Sequence, residues 1–258
     1  MIESRAYAKV NIFLKIAGKK GNYHNLVSRF VRVHSLYDVI RFEKGVFDEF
    51  VLDGEFGCDI KQNTIYKAYI ELSKISSNVK DIFKEYKVIV KKNIPEFAGL
   101  GGGSSDAATF MIMVNQYADL KLSKDQLAKI GVKIGADIPF FIYEYDSANV
   151  RGIGDIVEKF NEPILNIKTF TPKIKCNTGA IFKEFRKSYY KEISIDEEKS
   201  ILSKSSIEVL NSMDIKEAND LYEPASFVYP ELIPKNYNLD EKTTFFSGSG
   251  SSFFYLVD

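Results

Sequence analysis

A run of glycine and serine at residues 99–106 is the part of the sequence best suited to hold a phosphate. It reads Gly-Leu-Gly-Gly-Gly-Ser-Ser-Asp, and a helical pattern follows at once. Glycines leave successive backbone N–H groups uncovered, and the N-terminus of a helix adds its positive end. Neither the Walker A motif nor the dinucleotide-binding fingerprint matches, because no Gly-Lys-Ser/Thr follows and Ser104 stands where the fingerprint needs glycine. A tight turn would explain a bare glycine cluster, but the two serines and the helix favour a phosphate loop.

Asp137, Lys9 and Asn11 are further side chains whose surroundings suggest chemistry. Asp137 lies in a Gly-Ala-Asp-Ile-Pro turn, where a carboxylate could accept a proton, although an aspartate in such a turn is usually structural. Lys9 and Asn11 lie two residues apart on the polar side of a period-two pattern. They could therefore reach one ligand together, although a lysine in a strand is more often solvated.

The composition excludes several functional classes. The chain has 258 residues, of which 35 are basic and 35 acidic, so no net charge draws it to nucleic acid or to an anionic membrane. His24 and His34 are the only histidines, and Cys58 and Cys176 are the only cysteines. Their spacing predicts neither a metal site nor a disulfide, and His34 is interpreted as structural. No apolar run approaches the ~20 residues of a membrane span, so we expect a cytoplasmic protein.

Strand and helix patterns alternate around these residues. Strand patterns cover residues 4–16, 30–33, 39–42, 50–52 and 86–90. Asn63 is predicted to begin a helix, and a second helix follows the glycine loop, beginning at Ser105. A capping box of Ser123 and Gln126 begins a third helix, which Gly135 is expected to end.

The pattern of the sequence changes near residue 161, beyond which charged helical segments begin. These segments lie roughly at 180–187, 196–204 and 216–221, and a glycine-serine turn follows them. The change predicts two domains, an N-terminal domain at 1–160 that contains the phosphate loop and a C-terminal domain at 161–258.

The phosphate loop resembles that of a known superfamily. Residues 95–108, from Pro95 to Ala108, are similar to the motif Pro-x-x-x-Gly-Leu-Gly-Ser/Gly-Ser-Ser-x-Ala of the GHMP kinases. The segment Ala-Lys-Val-Asn-Ile-Phe-Leu at 8–14, followed by Tyr23-His24, resembles the opening of the branch that phosphorylates a cytidine diphosphate derivative of methylerythritol in non-mevalonate isoprenoid synthesis. Segments 135–141, 151–154, 219–221 and 246–252 fall in the same order as in that branch. The chain departs from it at 20–22 and at 97–98, where Phe-Ala replaces two common glycines.

The resemblance implies an α+β fold in two domains. The N-terminal domain at 1–160 would bind ATP and its phosphates and would be like ribosomal protein S5. The C-terminal domain at 161–258 would lie on the substrate side and have an antiparallel sheet with helices, and the active site would lie between the two domains. ATP would be the co-substrate, with Mg²⁺ bridging its phosphate oxygens. No metal ligand is assigned among the side chains. The residues implied to bind ATP are Asn63, Lys92, Pro95, Gly99, Gly101, Gly102, Gly103, Ser104 and Ser105.

The resemblance also assigns roles in catalysis and in binding of the acceptor. Asp137 would accept the proton of the acceptor hydroxyl, and Lys9 would keep Asp137 ionised and stabilise the developing charge. The residues implied to bind the acceptor are Tyr23, His24 and Phe182 at the cytosine, and Asn11 and Thr178 at the methylerythritol end.

Two alternatives stay open. The chain could be another GHMP kinase of the homoserine or mevalonate type, which has no reason to share Tyr23-His24. It could also be a ligand-binding module on the same fold, although Lys9 and Asp137 argue against that. The sequence leaves a monomer and a homodimer equally open.

Overall fold

The computed structural model describes residues 2–21 and 23–257, except for the side chains of Lys20 and Tyr23. The chain forms two compact units that interleave along the sequence. The first unit comprises Met1–Ala8, Leu36–Ile94 and Gly101–Glu144. The second unit comprises Lys9–Ser35, Pro95–Leu100 and Tyr145–Asp258. The predicted division into 1–160 and 161–258 stays a prediction.

Two long strands, β1 (Ile2–Lys20) and β2 (Tyr23–Lys44), pair with each other and supply residues to both units. In the first unit the C-terminal end of β2 pairs antiparallel with β4 (Tyr86–Lys91). β4 also pairs in parallel with the short strand β3 (Leu52–Gly54). The helices of this unit are α1 (Thr64–Ser73), α2 (Asn78–Glu85), α3 (Gly102–Tyr117), α4 (Lys124–Gly131) and α5 (Ile138–Tyr143).

The core of the first unit surrounds α3. Ala107, Ala108, Phe110 and Met111 of this helix are fully buried, so it is apolar on more than one face. The helix packs against α1 and α5. A group of aromatic rings with centroids 5.0 to 6.0 Å apart fills the space beneath it: Phe42, Phe50, Phe83 and Phe110.

In the second unit the N-terminal part of β2 pairs antiparallel with β5 (Ser147–Gly152), which pairs with β6 (Ile156–Lys159). A separate antiparallel sheet has the order β7 (Ile167–Phe170), β9 (Phe253–Leu256) and β8 (Phe245–Phe246). The helices are α6 (Thr178–Glu184), α7 (Ile195–Ser203), α8 (Ser206–Ser212), α9 (Ile215–Ala218) and α10 (Tyr222–Val228). Capping boxes at Ser194, Ser205 and Asp214 explain why α7, α8 and α9 begin where they do.

The combination of helices with largely antiparallel strands confirms the predicted α+β class. Asn63 caps α1, and the predicted box of Ser123 and Gln126 caps α4. Some boundaries were wrong: the strands predicted at 30–33 and 39–42 are one strand, and α4 ends at Gly131 rather than at Gly135. Among the residues that the structure describes, no helix has the length and apolar character needed to cross a membrane.

Candidate active site

The phosphate loop enters α3 through a glycine in the left-handed region. Gly101 has φ +71°, which glycine adopts without steric cost, and it occupies the N-cap position. The helix begins at Gly102, three residues earlier than predicted, and the first bond of this turn runs from the Ser105 N–H to the Gly101 carbonyl at 2.9 Å. The preceding N–H groups of 102–104 have no partner within the helix, so their positive ends are directed at the loop. An anion is therefore favoured at this point.

Neighbouring elements hold this first turn in place. The Thr64 hydroxyl donates to the Gly103 carbonyl at 2.6 Å, and a Cβ on Gly102 would lie 3.0 Å from Ile94 Cγ2. The Asn63 side chain accepts from the Ile65 N–H at 2.8 Å, so it fixes the start of α1. Sequence reasoning missed Thr64, because a threonine in a first helical turn carries no signal of a contact 39 residues away.

Lys92 lies in a buried ionic cluster with Asp38 and Asp106. Its ammonium donates to Asp106 Oδ2 at 2.6 Å and also to an oxygen of Asp38. Burial lowers the pKa of Lys92, but the charges and hydrogen bonds of Asp106 and Asp38 outweigh this effect, and the pKa is raised. The ammonium lies 3.6 Å from the position that a Cβ on Gly102 would take, so the cluster is adjacent to the phosphate loop. The sequence assigned Lys92 to ATP and gave no sign of its two carboxylate partners.

The turn that carries Asp137 lies beside the first turn of α3. Asp137 is partly buried at the N-cap position of α5, and its carboxylate does not serve as the cap of that helix. A Cβ on Gly135 would lie 3.5 Å from the hydroxyl of Ser104. Ser104 and Gly135, which are 31 residues apart in sequence, are thus adjacent in the first unit.

In the second unit, Lys9 is buried beside the first half of the phosphate loop. Its side chain donates to Asn11 Oδ1 at 2.7 Å and to the Gly99 carbonyl at 3.1 Å, and its ammonium lies 4.5 Å from the centre of the Phe30 ring. Asn11 in turn donates to the Ser28 hydroxyl at 2.9 Å. The pattern correctly placed Lys9 and Asn11 on one side of β1. The side of β1 that carries Lys9 and Asn11 is buried like the apolar side. Its polar groups tolerate burial because they form hydrogen bonds with one another.

The glycine-serine turn at 246–252 supports this half of the loop. The Ser247 hydroxyl donates to the Gly99 carbonyl at 2.9 Å. Gly99 has φ +76°, and a Cβ there would lie 2.0 Å from the Ser247 carbonyl oxygen, so only glycine fits. Asn219 donates to the carbonyls of Phe246 and Gly248, both at 2.9 Å, and so fixes the turn. Asn219 and Ser247 lie in the segments 219–221 and 246–252 that resemble the kinase branch, but the sequence predicts no structural role for either residue.

His24 and Phe182 come together in the second unit. Their rings stack with centroids 5.2 Å apart and planes 16° apart. The His24 Nε2 atom is buried and has no hydrogen-bond partner among the residues that the structure describes. Burial, together with the charges of Arg186 and Lys19, lowers the pKa of His24, so the ring is neutral at pH 7. The structure therefore leaves this buried polar atom unsatisfied by the residues that it describes.

The remaining predicted residues are placed less specifically. Thr178 is exposed at the start of α6, and its hydroxyl lies 2.8 Å from that of Ser249. Pro95 is partly buried. Tyr23 begins β2, but its side chain lies outside the described part of the structure. Within residues 2–21 and 23–257, no group of three or more His, Cys, Asp and Glu side chains is arranged to hold a metal ion.

The chain is similar in sequence to known proteins of one family. Residues 63–145 match the family model described as the GHMP kinases N terminal domain. The 4-diphosphocytidyl-2-C-methyl-D-erythritol kinase of Sulfurimonas denitrificans is 50% identical over 260 residues, covering 98% of this chain and 96% of that protein. The protein of the same name from Campylobacter jejuni is 40% identical over 256 residues, covering 97% of this chain and 98% of its own length.

Solved structures extend the comparison to the fold. A crystal structure of 4-(cytidine 5'-diphospho)-2C-methyl-D-erythritol kinase matches with a TM-score of 0.76 at 26% identity, covering 99% of this chain and 90% of the other. A mevalonate kinase matches with a TM-score of 0.65 at 16% identity, covering 100% of this chain and 92% of the other. The second match shows a shared fold and carries no information about the substrate.

Proposed function

The chain belongs to the 4-diphosphocytidyl-2-C-methyl-D-erythritol kinase family of GHMP kinases, and we propose on this basis that it transfers the γ-phosphate of ATP to a hydroxyl of that compound. The products are the 2-phosphate and ADP, in the non-mevalonate route to isoprenoids. The observation that carries the proposal is the contact of the Asp137 turn with the first turn of α3, where Gly135 lies beside Ser104. A proton acceptor and a phosphate-binding helix start are thereby brought together.

The ATP phosphates bind to the N–H groups at the start of α3. Gly101, Gly102, Gly103, Ser104 and Ser105 form this cradle, and the positive end of the helix adds to the attraction. Asn63 and Lys92 lie towards the adenosine, while Pro95 and Gly99 shape the approach to the loop. Mg²⁺ would accompany ATP and would offset the negative charge of its phosphates during transfer, and we assign no side chain of this chain as its ligand. Chelation with EDTA should abolish turnover, and full activity without a divalent ion would contradict this part.

Asp137 is the general base of the transfer. It takes the proton from the acceptor hydroxyl, the oxygen forms a bond to the γ-phosphorus, and the bond from that phosphorus to the β-phosphate oxygen breaks. Lys9 supplies a buried positive charge, which favours the ionised carboxylate and stabilises charge that develops on the phosphoryl group. Asn11 and the Gly99 carbonyl fix the position of the Lys9 ammonium.

The acceptor is recognised through its cytosine. Phe182 offers a stacking surface, and the Nε2 atom of His24, which has no partner among the described residues, pairs with the edge of the base. Tyr23 contributes a second aromatic surface, and Asn11 and Thr178 bind the methylerythritol end.

We further propose that the enzyme acts in the cytoplasm as a monomer or a homodimer without a nucleic-acid partner. Light scattering of the purified protein tests the oligomeric state.

ATP consumption with a panel of acceptors tests the proposed function. The purified enzyme is given cytidylated methylerythritol, homoserine or mevalonate at equal concentration, and ADP release is followed. We expect turnover with the first compound alone. Turnover with homoserine or mevalonate instead would move the chain to another branch of the GHMP kinases, and ATP binding without turnover on any acceptor would favour a binding module.

A further inference from the structure

Two buried carboxyl groups share one ammonium beside the phosphate loop, and the proposed chemistry uses neither of them. Asp38 comes from β2, Lys92 follows β4, and Asp106 lies in the second turn of α3. Asp38 is 0% exposed and Asp106 is 3% exposed. With both carboxyl groups ionised, the cluster would carry a net charge of minus one in a largely buried environment, which is unfavourable.

The hydrogen bonds show which of the two carboxyl groups is the better proton acceptor. Asp38 accepts from Lys92 and from the backbone N–H groups of Asn93 and Ile94, so its ionised form is well satisfied. Asp106 accepts from Lys92 through Oδ2, and its Oδ1 atom is buried without a partner among the described residues. The asymmetry places the exchangeable proton on Asp106.

The electrostatic surroundings of Asp106 agree with this placement. Burial raises its pKa to about 7; the charge of Lys92 opposes the rise, and the negative charge of Asp38 adds to it. Lys92 and Asp38 are the charged groups that act on Asp106. The helices α1, α4 and α5 also pack against α3, and they bring buried apolar side chains, among them Ile65, Leu127 and Ile138.

We propose that binding of ATP at the phosphate loop is coupled to the uptake of one proton by Asp106. The inference rests on the proposed ATP site at 101–105. Lys92 lies 3.6 Å from the Cβ position of Gly102, so the cluster is close to the N–H groups that would hold the phosphates. Several negative charges arriving there favour the protonated form of Asp106, which leaves the charge of Lys92 balanced by Asp38 alone. The proton comes from the solvent to a carboxylate oxygen of Asp106, and no other bond changes.

Calorimetry in two buffers with different ionisation enthalpies measures the proton directly. The enzyme is titrated with Mg²⁺-ATP without acceptor between pH 7 and pH 9, where phosphate groups, which lose their last proton near pH ~6, are already ionised. If ATP raises the pKa of Asp106 by one unit, about 0.4 proton is taken up per ATP at pH 7. The dissociation constant should then be about fivefold higher at pH 9 than at pH 7.

Asp106→Asn and Asp119→Asn form a matched pair of variants. Asp119 follows α3 on an exposed turn with its side chain 78% exposed, so its removal changes the charge of the same unit without touching the cluster. We expect Asp106→Asn to bind ATP without proton uptake and with a flat pH profile, and Asp119→Asn to behave as the wild type. ATP binding to the wild type without proton uptake would overturn the inference and leave the ATP site standing. Absence of ATP binding would instead refute the proposed function.

A second measurement covers the case in which Asp106→Asn does not fold. Wild-type protein with ¹³C-labelled aspartate carboxyl groups is titrated by NMR with and without Mg²⁺-ATP. We expect one carboxyl group to titrate near pH 7 and its midpoint to move upward when ATP is bound. A midpoint that does not move with ATP would overturn the coupling.

Discussion

The glycines at the two ends of the phosphate loop are needed for different reasons. In the second unit, Gly99 is packed so tightly that a Cβ would lie 2.0 Å from the Ser247 carbonyl oxygen. In the first unit, Gly103 is exposed within α3, and the nearest neighbour of a Cβ would be the Thr64 hydroxyl oxygen at 3.4 Å. One end of the loop is fixed by the protein, and the other is left open. Substitutions at Gly99 should therefore affect mainly stability, and substitutions at Gly103 should affect mainly the binding of the ligand.

Asp137→Asn should have the largest effect in the first unit, because it tests the proposed general base beside the open end of the phosphate loop. It keeps the volume of the side chain but removes the proton acceptor, so we expect kcat to fall ~10²–10⁴-fold. ATP affinity should change little, because Asp137 lies outside the N–H groups at the start of α3, and the melting temperature should change little, because asparagine keeps the size and polarity of the side chain. Steady-state kinetics and a thermal melt measure both, with the exposed Asp81→Asn as the control. A variant with near-normal kcat would exclude Asp137 as the base.

Local sequence was sufficient for the open side of the loop and insufficient for the packed side. The uncovered N–H groups follow from the glycine run itself, and Asn63 and Ser123 are caps that can be recognised from their neighbours. The need for glycine at 99 comes from Ser247, which lies 148 residues away. Asp38 and Asp106 likewise meet only through the sheet and α3, and neither carries a local sign that it is buried.

The buried carboxyl groups make the stability of the enzyme depend on pH. The folded state raises the pKa of Asp106 from 3.8 to about 7, so it binds this proton more tightly than the unfolded chain does. The free energy of unfolding should therefore fall as pH rises from about 4 to about 7, by at most ~4 kcal/mol. Asp106→Asn should remove this slope. Urea denaturation of wild type and Asp106→Asn at pH 5 and pH 7.5 measures the free energy of unfolding. If the difference in this free energy between the two proteins is the same at both pH values, the predicted pH dependence is wrong.

Gly99→Ala and Gly103→Val compare the two ends of the loop directly. Gly99→Ala forces a Cβ into a left-handed residue against a carbonyl, so we expect a loss of about 2–4 kcal/mol in the free energy of unfolding. Gly103→Val should change that free energy by less than about 1 kcal/mol and should weaken ATP binding. Gly103 lies within α3 and does not have a positive φ, so the expected loss of ATP binding comes from the valine side chain and not from backbone strain. Equal losses of stability in both variants would remove the distinction.

Phe182→Ala probes the proposed acceptor site in the second unit. Loss of a stacking ring costs ~1–3 kcal/mol and does not depend on which base is stacked. We expect KM to rise for cytidylated and uridylated acceptors alike, with kcat nearly unchanged. Phe182→Tyr is the control, because it keeps the aromatic face. A change confined to one of the two acceptors would show that the ring does more than stack.

His24→Ala should have a smaller effect on KM and a larger effect on the choice of base. The ring is neutral at pH 7 because burial lowers its pKa, so Nε2 can accept a hydrogen bond from the amino group of cytosine, whereas the uracil carbonyl offers no proton. A mismatch leaves a buried polar atom unpaired at ~1–3 kcal/mol, which is the size of the preference expected in kcat/KM. His24→Ala should remove most of that preference. Acidification should act in the same direction once the pH falls below the lowered pKa of His24, since the protonated ring can only donate. A preference for the cytidylated acceptor that survives in His24→Ala would show that backbone groups, rather than His24, read the edge of the base.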